Sequence, residues 1–450
     1  MSAVQPVAAD PLPSYRAPRT RGRFIVLAFI CSLAFILYLD RVCIGRAETS
    51  IREEFGFDKT QMAYVFMAFT LAYGIFEVPT GHFGDRFGSR GVLTRIVVWW
   101  SLFTALTGAA MGLYSLIAVR FLFGVGEAGA YPNSARVLGR WFPDGERGMA
   151  QGLVLTSAQL GAALSPPIAA YLIAGIGWRL AFVVFGALGV VWAVAFYLWF
   201  RDDPAKHPAV NDAENEYIAA NRRLAAATEA HGGIPWAKVL RSPNVWLLAG
   251  IQTSGAFAAY MYMSWYATYL TEARGVELIE GGWLAGLVMA GGAVGCLGGG
   301  FFSAWVVRFD IDRVWSRRLY GCGVMVAAAG FLAASTFCDS AVAAASLTAV
   351  ACMLALSQQS TWWSVAGEIS GKHLGALFGL MNGVAVFGAM GSQYFFAAFA
   401  DWRESLGYTG RAQWDPAFWV DAGILVAGGL LWLFLDPTKS AVGEETVEGH

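Results

Sequence analysis

Residues 24–45 read FIVLAFICSLAFILYLDRVCIG, an apolar run that places Asp40 and Arg41 side by side near its end. About 20 consecutive apolar residues suffice to cross the hydrocarbon core of a bilayer as a helix. A charge near the bilayer centre costs on the order of 3 kcal/mol on insertion scales, so such residues pair with one another or line a watery cavity. A second island of this kind lies in LIAVRFLFGVGEAGAYP, residues 116–132, which carries Arg120 and Glu127. The two islands read as a polar pathway through a membrane, not as a soluble core.

The chain is 57% hydrophobic and only 14% charged, a balance that excludes an ordinary soluble enzyme. Apolar runs predict twelve spans, near 24–45, 60–81, 92–112, 114–138, 149–174, 180–200, 244–271, 281–306, 318–337, 341–364, 374–397 and 417–435. The glycine-rich run LAGLVMAGGAVGCLGGG, residues 284–300, implies close helix contacts and one packed bundle. The one long polar interruption is the segment between spans six and seven, whose helical middle is flanked by Pro and Gly. The expected organisation is a tail (1–23), a six-helix bundle (24–200), a linker (201–243), a second six-helix bundle (244–435) and a tail (436–450). The fold class is therefore an all-α membrane protein.

The first hydrophobic segment is too long for a signal-peptide core and reads as an uncleaved span. Placing the N-terminus in the cytoplasm puts 22 of the 31 Lys and Arg on that side, counting Arg95, Arg136 and Arg318 at the adjoining span ends, so both termini and the linker are expected there. Net charge is −1, which argues against a nucleic-acid surface. The six cysteines fall in or near spans without a CxxC spacing and read as small buried hydrophobes, so neither a metal nor a disulfide framework is expected. There is no HExxH, GxSxG or Walker motif, and an enzyme is not expected.

The strongest motif is GHFGDRFGSRG, residues 81–91, in the cytoplasmic turn between spans two and three. Gly81 and Gly84 allow helix ends to approach, Asp85 can pair with a base or cap a helix, and Arg86 and Arg90 supply donors. Such a turn can latch two helices in one conformation and serve as a cytoplasmic gate. With twelve spans and a central linker, it resembles the signature loop of the major facilitator superfamily, roughly G-x-x-x-D-R-x-G-x-R. YLDRVCIG (38–45), RFLFGVGEAGAYPN (120–133), GERGMAQG (145–152) and SWYATYLTEARG (264–275) further resemble the anion:cation symporter family. That family includes bacterial galactonate, glucarate and hexuronate transporters. The resemblance implies proton-coupled uptake of an organic anion, with an arginine in span one, carboxylates in spans one and four and polar residues across a cavity.

Read independently, Arg41 is a permanent, forked donor suited to a substrate carboxylate, and Tyr38 falls near the same helical face. The competing reading of Arg41 is a structural pair with Asp40 or Glu127, and the two roles can alternate in one cycle. Removal from water favours the neutral form of a carboxyl, so Asp40 and Glu127 are the proton-carrying candidates. Arg120 lies two turns from Glu127, too far for a direct i,i+4 pair, and is expected to tune it. Tyr73, Gln159, Gln252, Ser360, Thr361, Trp363 and Asn382 are candidates to hydrogen-bond the hydroxyls of a polyol acid.

Two departures from the sugar-acid pattern matter. Glu77-Val78-Pro79 stands where bacterial relatives often show Gln-x-Pro, and Glu77 could add a gate charge. LSQQSTWWSVAGE, residues 356–368, sets Gln358 and Gln359 beside a Trp362-Trp363 pair able to stack on an apolar or sugar-ring face. The expected function is proton symport of a hexonate, hexarate or hexuronate, by alternating access in a bacterial inner membrane. The expected partners are that anion, protons and the lipid bilayer. No cofactor beyond protons as the coupling ion and no nucleic acid are expected, and the chain is expected to act as a monomer. An organic-anion exchanger, an aromatic or dicarboxylic acid symporter and a nontransporting nutrient sensor are the alternatives.

Overall fold

The structure is a computed structural model that describes residues 18–220, 235–306 and 312–441; within these, the side chains of residues 78, 81–87, 220, 302–306, 313 and 372 lie outside the description. Among the described residues there is no strand. The first half comprises α1 (Gly22–Phe55), α2 (Lys59–Phe87), α3 (Ser89–Thr107), α4 (Leu113–Trp141), α5 (144–176) and α6 (178–199). The second comprises α7 (243–274), α8 (Leu278–Val306), α9 (Arg313–Ser335), α10 (Ala341–Ser370), α11 (Leu374–Ser405) and α12 (Arg411–Phe434). Each expected span coincides with one of these helices.

Local chemistry sets the boundaries. Gly56 closes α1 in the left-handed region (φ 70°), and its N–H returns to the Arg52 carbonyl. Asp58 then opens α2 with a capping box, its carboxylate accepting from the Gln61 N–H. Gly177 (φ 79°) is the sole non-helical residue in the run Asp144–Trp199 and separates α5 from α6. Among the described residues, eight runs are long and apolar enough to cross a membrane by themselves, this double run among them, and α2, α3 and α7 complete the twelve. Large apolar side chains such as Val191 and Leu198 on α6 are two-thirds exposed, as a lipid-facing surface requires.

Three spans are interrupted at mid-depth. In α4 the helix pauses between Glu127 and Ala130, where Pro132 cannot donate to the Ala128 carbonyl. In α7 the break is at Trp265, and in α10 at Gln358.

The two halves meet on the face of the bundle opposite the linker. There α5 and α8 touch through small residues, Gly282 and Gly286 against Ala163, Pro166, Pro167 and Ala170. Charges at the far end of α1 and the start of α2 cross to the second half. Arg46 donates to the Leu278 carbonyl (2.8 Å) and Thr271 Oγ1 (3.1 Å), and Glu48 accepts from Thr268 Oγ1 (2.6 Å). Arg52 pairs with Glu272, Lys59 Nζ with Glu404 (2.7 Å), and the Thr60 N–H with Asp401 (2.8 Å). On the linker face, among the described residues, the following bonds stay within a half. Arg23 binds Glu146 (3.0 Å) and the linker's Glu214 (2.9 Å), whereas Arg318 and Asn244 bind the carbonyls of Leu435 and Asp436 (both 2.6 Å).

Within the second half, Gly291, Gly295 and Gly299 of α8 lie directly on the backbone of α10, and a Cβ at these positions would overlap the carbonyl oxygens of Ala349, Met353 and Ser357. Gly295→Ala is therefore expected to destabilise the detergent-solubilised protein by about 1–3 kcal/mol, as overpacking does. Gly300→Ala, which meets open space, should leave the thermal midpoint unchanged. Equal midpoints for the two variants would contradict this packing.

Candidate functional site

The site is built from α1, α2 and α4 of the first half and α7 and α11 of the second. Asp40 and Arg41 are successive residues of a helix, so their side chains leave α1 about 100° apart and serve different neighbours. Arg41 points to the centre of the molecule. Its Nε donates to Glu127 Oε1 at 2.7 Å, and Nη2 reaches the same oxygen. The pair is almost wholly removed from solvent, with 7% of the Arg41 and none of the Glu127 side chain exposed. Three rings surround the guanidinium, with centroids 5.0 Å (Tyr38), 5.2 Å (Phe69) and 4.6 Å (Tyr73) from its carbon. Glu127 is the last residue before the break in α4, where the chain turns and brings its carboxyl to α1.

Asp40 faces the interior of the first half, fully buried beside Trp100 and Thr104. Both its oxygens and Glu127 Oε2 lack a hydrogen-bond partner. Arg120 is 1% exposed and lies over the rings of Phe123 (4.3 Å) and Phe69 (5.2 Å). Its Nε and Nη1 are buried without a hydrogen-bond partner, so the expected tuning of Glu127 is not made through a direct bond in this arrangement. Removing one member of a buried pair leaves an uncompensated charge, which is why these four residues form one unit.

Other sequence candidates lie elsewhere. Glu77 sits beside Tyr73, near Arg41. Trp363 stacks on Phe378 (3.8 Å between centroids) and the Ser360 hydroxyl donates to the Ser357 carbonyl, both within the second half. Thr361 is buried, while Gln159, Gln252 and Asn382 are half-buried. In the turn between α2 and α3, Arg90 bonds within its own half: its guanidinium donates to the Tyr197 carbonyl (2.9 Å) while its N–H binds Asp202 (3.0 Å), tying α3 to the end of α6. The side chains of Gly81, Asp85 and Arg86 lie outside the described residues.

Sequence reading missed several groups. Tyr260, Ser264 and Gln393 face Arg41 and Arg120 across a small pocket of about 20 Å³ between the halves. Gln393 Oε1 accepts from Thr70 Oγ1 (3.0 Å), a hydrogen bond joining α2 to α11. An amide inside the apolar stretch of α11 was the available signal, the same one that singled out Asn382. Asp421, deep in α12 and 0% exposed with neither oxygen bonded, was also overlooked.

A double-mutant cycle tests the central pair. Glu127→Ala leaves Arg41 buried without its partner and is expected to cost about 3 kcal/mol in denaturant unfolding in detergent. Arg41→Ala in the same background should recover about 1–3 kcal/mol as coupling energy. Additive single and double effects would show that the pair is not made.

The profile of the Major Facilitator Superfamily matches residues 30–393. The chain is 33% identical over 430 residues to a probable sulfoacetate transporter of Cupriavidus necator, covering 93% of this chain and 95% of that one. It is 31% identical to a probable galactarate/D-glucarate transporter of Bacillus subtilis (67% and 69% covered) and 31% identical to a probable L-galactonate transporter of Escherichia coli (73% and 72% covered). Among solved structures, a bacterial homologue of the human lysosomal transporter Spinster superposes with a TM-score of 0.73 at 17% identity, covering 92% of this chain and 97% of that one, a likeness of fold. Two six-helix halves packed about a buried polar centre, and a family match over most of the length, make this chain a multi-pass membrane transporter of the Major Facilitator Superfamily.

Proposed function

We propose that the chain takes up a small organic anion of the sugar-acid kind, a hexonate, hexarate or hexuronate, by symport with protons. The observation that carries this reading is the buried Arg41–Glu127 pair at the meeting of the halves, ringed by Tyr38, Phe69 and Tyr73. A forked guanidinium is a strong ligand for a carboxylate, and here its present partner is itself a carboxyl that protonation can neutralise. Relatives named for sulfoacetate, galactarate, glucarate and galactonate support an organic anion as the substrate class.

The excess of Lys and Arg in the linker-side loops supports a cytoplasmic position for that face and for both termini, in a bacterial inner membrane. The contacts that join the halves then lie on the outer face. In the cycle, protons from outside neutralise Glu127 and Asp40 and free Arg41 for the anion. With the charges matched, the halves rock about the site. Loss of the protons to the cytoplasm returns Glu127 to Arg41 and displaces the substrate. Gln159, Gln252, Ser360, Thr361, Trp363 and Asn382 supply contacts for the hydroxyls, while Glu77, Gly81, Asp85, Arg86 and Arg90 belong to the cytoplasmic gate. A single chain contains both halves of the site, which supports action as a monomer.

Proteoliposomes of the purified protein, challenged with galactonate, glucarate and hexuronates while internal pH is followed, test this. Acidification with at least one compound is expected, and silence across the panel would defeat the reading. Glu127→Gln should still bind substrate but no longer acidify the lumen. Arg41→Lys keeps the charge without the fork and should lower uptake by about tenfold or more.

The closed face has its own test. Arg52→Ala with Lys59→Ala removes two cations that bind Glu272 and Glu404. In a chain with its native cysteines replaced, Ser264→Cys should then react several-fold faster with an impermeant maleimide added from outside. An unchanged labelling rate would mean that these pairs do not hold the face shut.

A further inference from the structure

The small pocket between the halves is bounded by two guanidinium groups. Arg41 enters it from α1 and Arg120 from α4, while Tyr260, Ser264 and Gln393 close it from the second half. Each guanidinium carbon lies 5.2 Å from the centroid of the same ring, that of Phe69, so the two cations flank one aromatic side chain. Arg41 has Glu127 as a partner. Arg120 is 1% exposed, and its Nε and Nη1 have no hydrogen-bond partner, although Asp40 and Glu127 lie close enough to act on it through space. A guanidinium cannot shed its proton, and a buried charge without a hydrogen-bonded partner is costly. The chemical complement of such a group is an anion with two or more oxygens.

The amide of Gln393 and the hydroxyl of Ser264 are already engaged. Gln393 Oε1 accepts from Thr70, and Nε2 donates to Ser264 Oγ (3.3 Å). The other polar side chains at the pocket wall are the Tyr260 hydroxyl and the two guanidinium groups, so cations outnumber neutral donors there. A hexonate brings one anionic group and a row of hydroxyls that need neutral partners, whereas a short molecule with an anionic group at each end would meet one guanidinium with each.

We propose that the Arg41–Arg120 pocket selects short dianions, such as a sulfocarboxylate or a dicarboxylate, with Arg120 as the second anion ligand. This rests on the reading of the chain as an organic-anion transporter and narrows its substrate class. The pocket as it stands has room for about one water, so the dianion enters as Arg41 leaves Glu127 and the halves part.

Uptake into proteoliposomes of the full chain at neutral pH separates the possibilities, with sulfoacetate and succinate as dianions, butyrate as the monoanion matched to succinate in chain length, and galactonate as the sugar acid. The dianions are expected to show a KM about tenfold or more below that of butyrate and below that of galactonate. Arg120→Gln should shrink the succinate-to-butyrate preference to less than about twofold, and Arg120→Lys, which keeps the charge, should retain part of it. Should Arg120→Gln fail to fold, the preference in wild type and its partial loss in Arg120→Lys decide the matter. Transport of galactonate with no preference for dianions would overturn this inference while leaving the proposed function intact. Absence of uptake for every compound would overturn both.

Discussion

The cost of holding charge away from water governs this molecule. Arg41 and Glu127 could not sit at mid-depth singly, so α1 and α4 must meet there, and the break in α4 after Glu127 is what lets them. Because the pair is held by charge-assisted bonds inside a ring of aromatic side chains, it can be undone by a competing anion or by protonation of the carboxyl, and by little else.

Around this centre the two halves are organised to be separable. Each half bonds itself on the linker face through Arg23, Arg90, Arg318 and Asn244, so a parting of the halves there leaves those bonds intact. On the opposite face the junction consists of side-chain ion pairs, of hydrogen bonds made by Arg46, Glu48 and Thr60, and of small residues on α5 and α8. The ion pairs are side-chain contacts at the rim of the junction, with Glu404 the most exposed partner. A closed face secured in this way can open without unfolding either half.

Much of the fold was legible because its signals are local. Apolar runs of bilayer length marked the spans, and Gly177, Asp58 and Gly56 acted where their backbone chemistry predicts. Part of the site was legible too, since Asp40, Arg41, Arg120 and Glu127 are conspicuous in apolar surroundings. Tyr38, chosen on helical face, and Tyr73, chosen as a polar residue of span two, both flank Arg41. Tyr260, Ser264 and Gln393 were not found, because serines, tyrosines and a single amide are common on spans that serve only helix packing. The bond of Arg90 to the Tyr197 carbonyl, which ties α3 to the end of α6, was not legible, because it depends on where the chain returns more than a hundred residues later.

Which residues could not face lipid was determined by the sequence alone, through the free energy of burying charge in hydrocarbon. Partner choice was decided only in three dimensions. Whether Arg41 pairs with its neighbour Asp40 or with Glu127 depends on the 100° turn between successive side chains on α1 and on the bend that brings α4 alongside. Those are properties of packed helices, set by the close approach of glycines and by the break at residues 128 and 129, and no spacing along the chain encodes them.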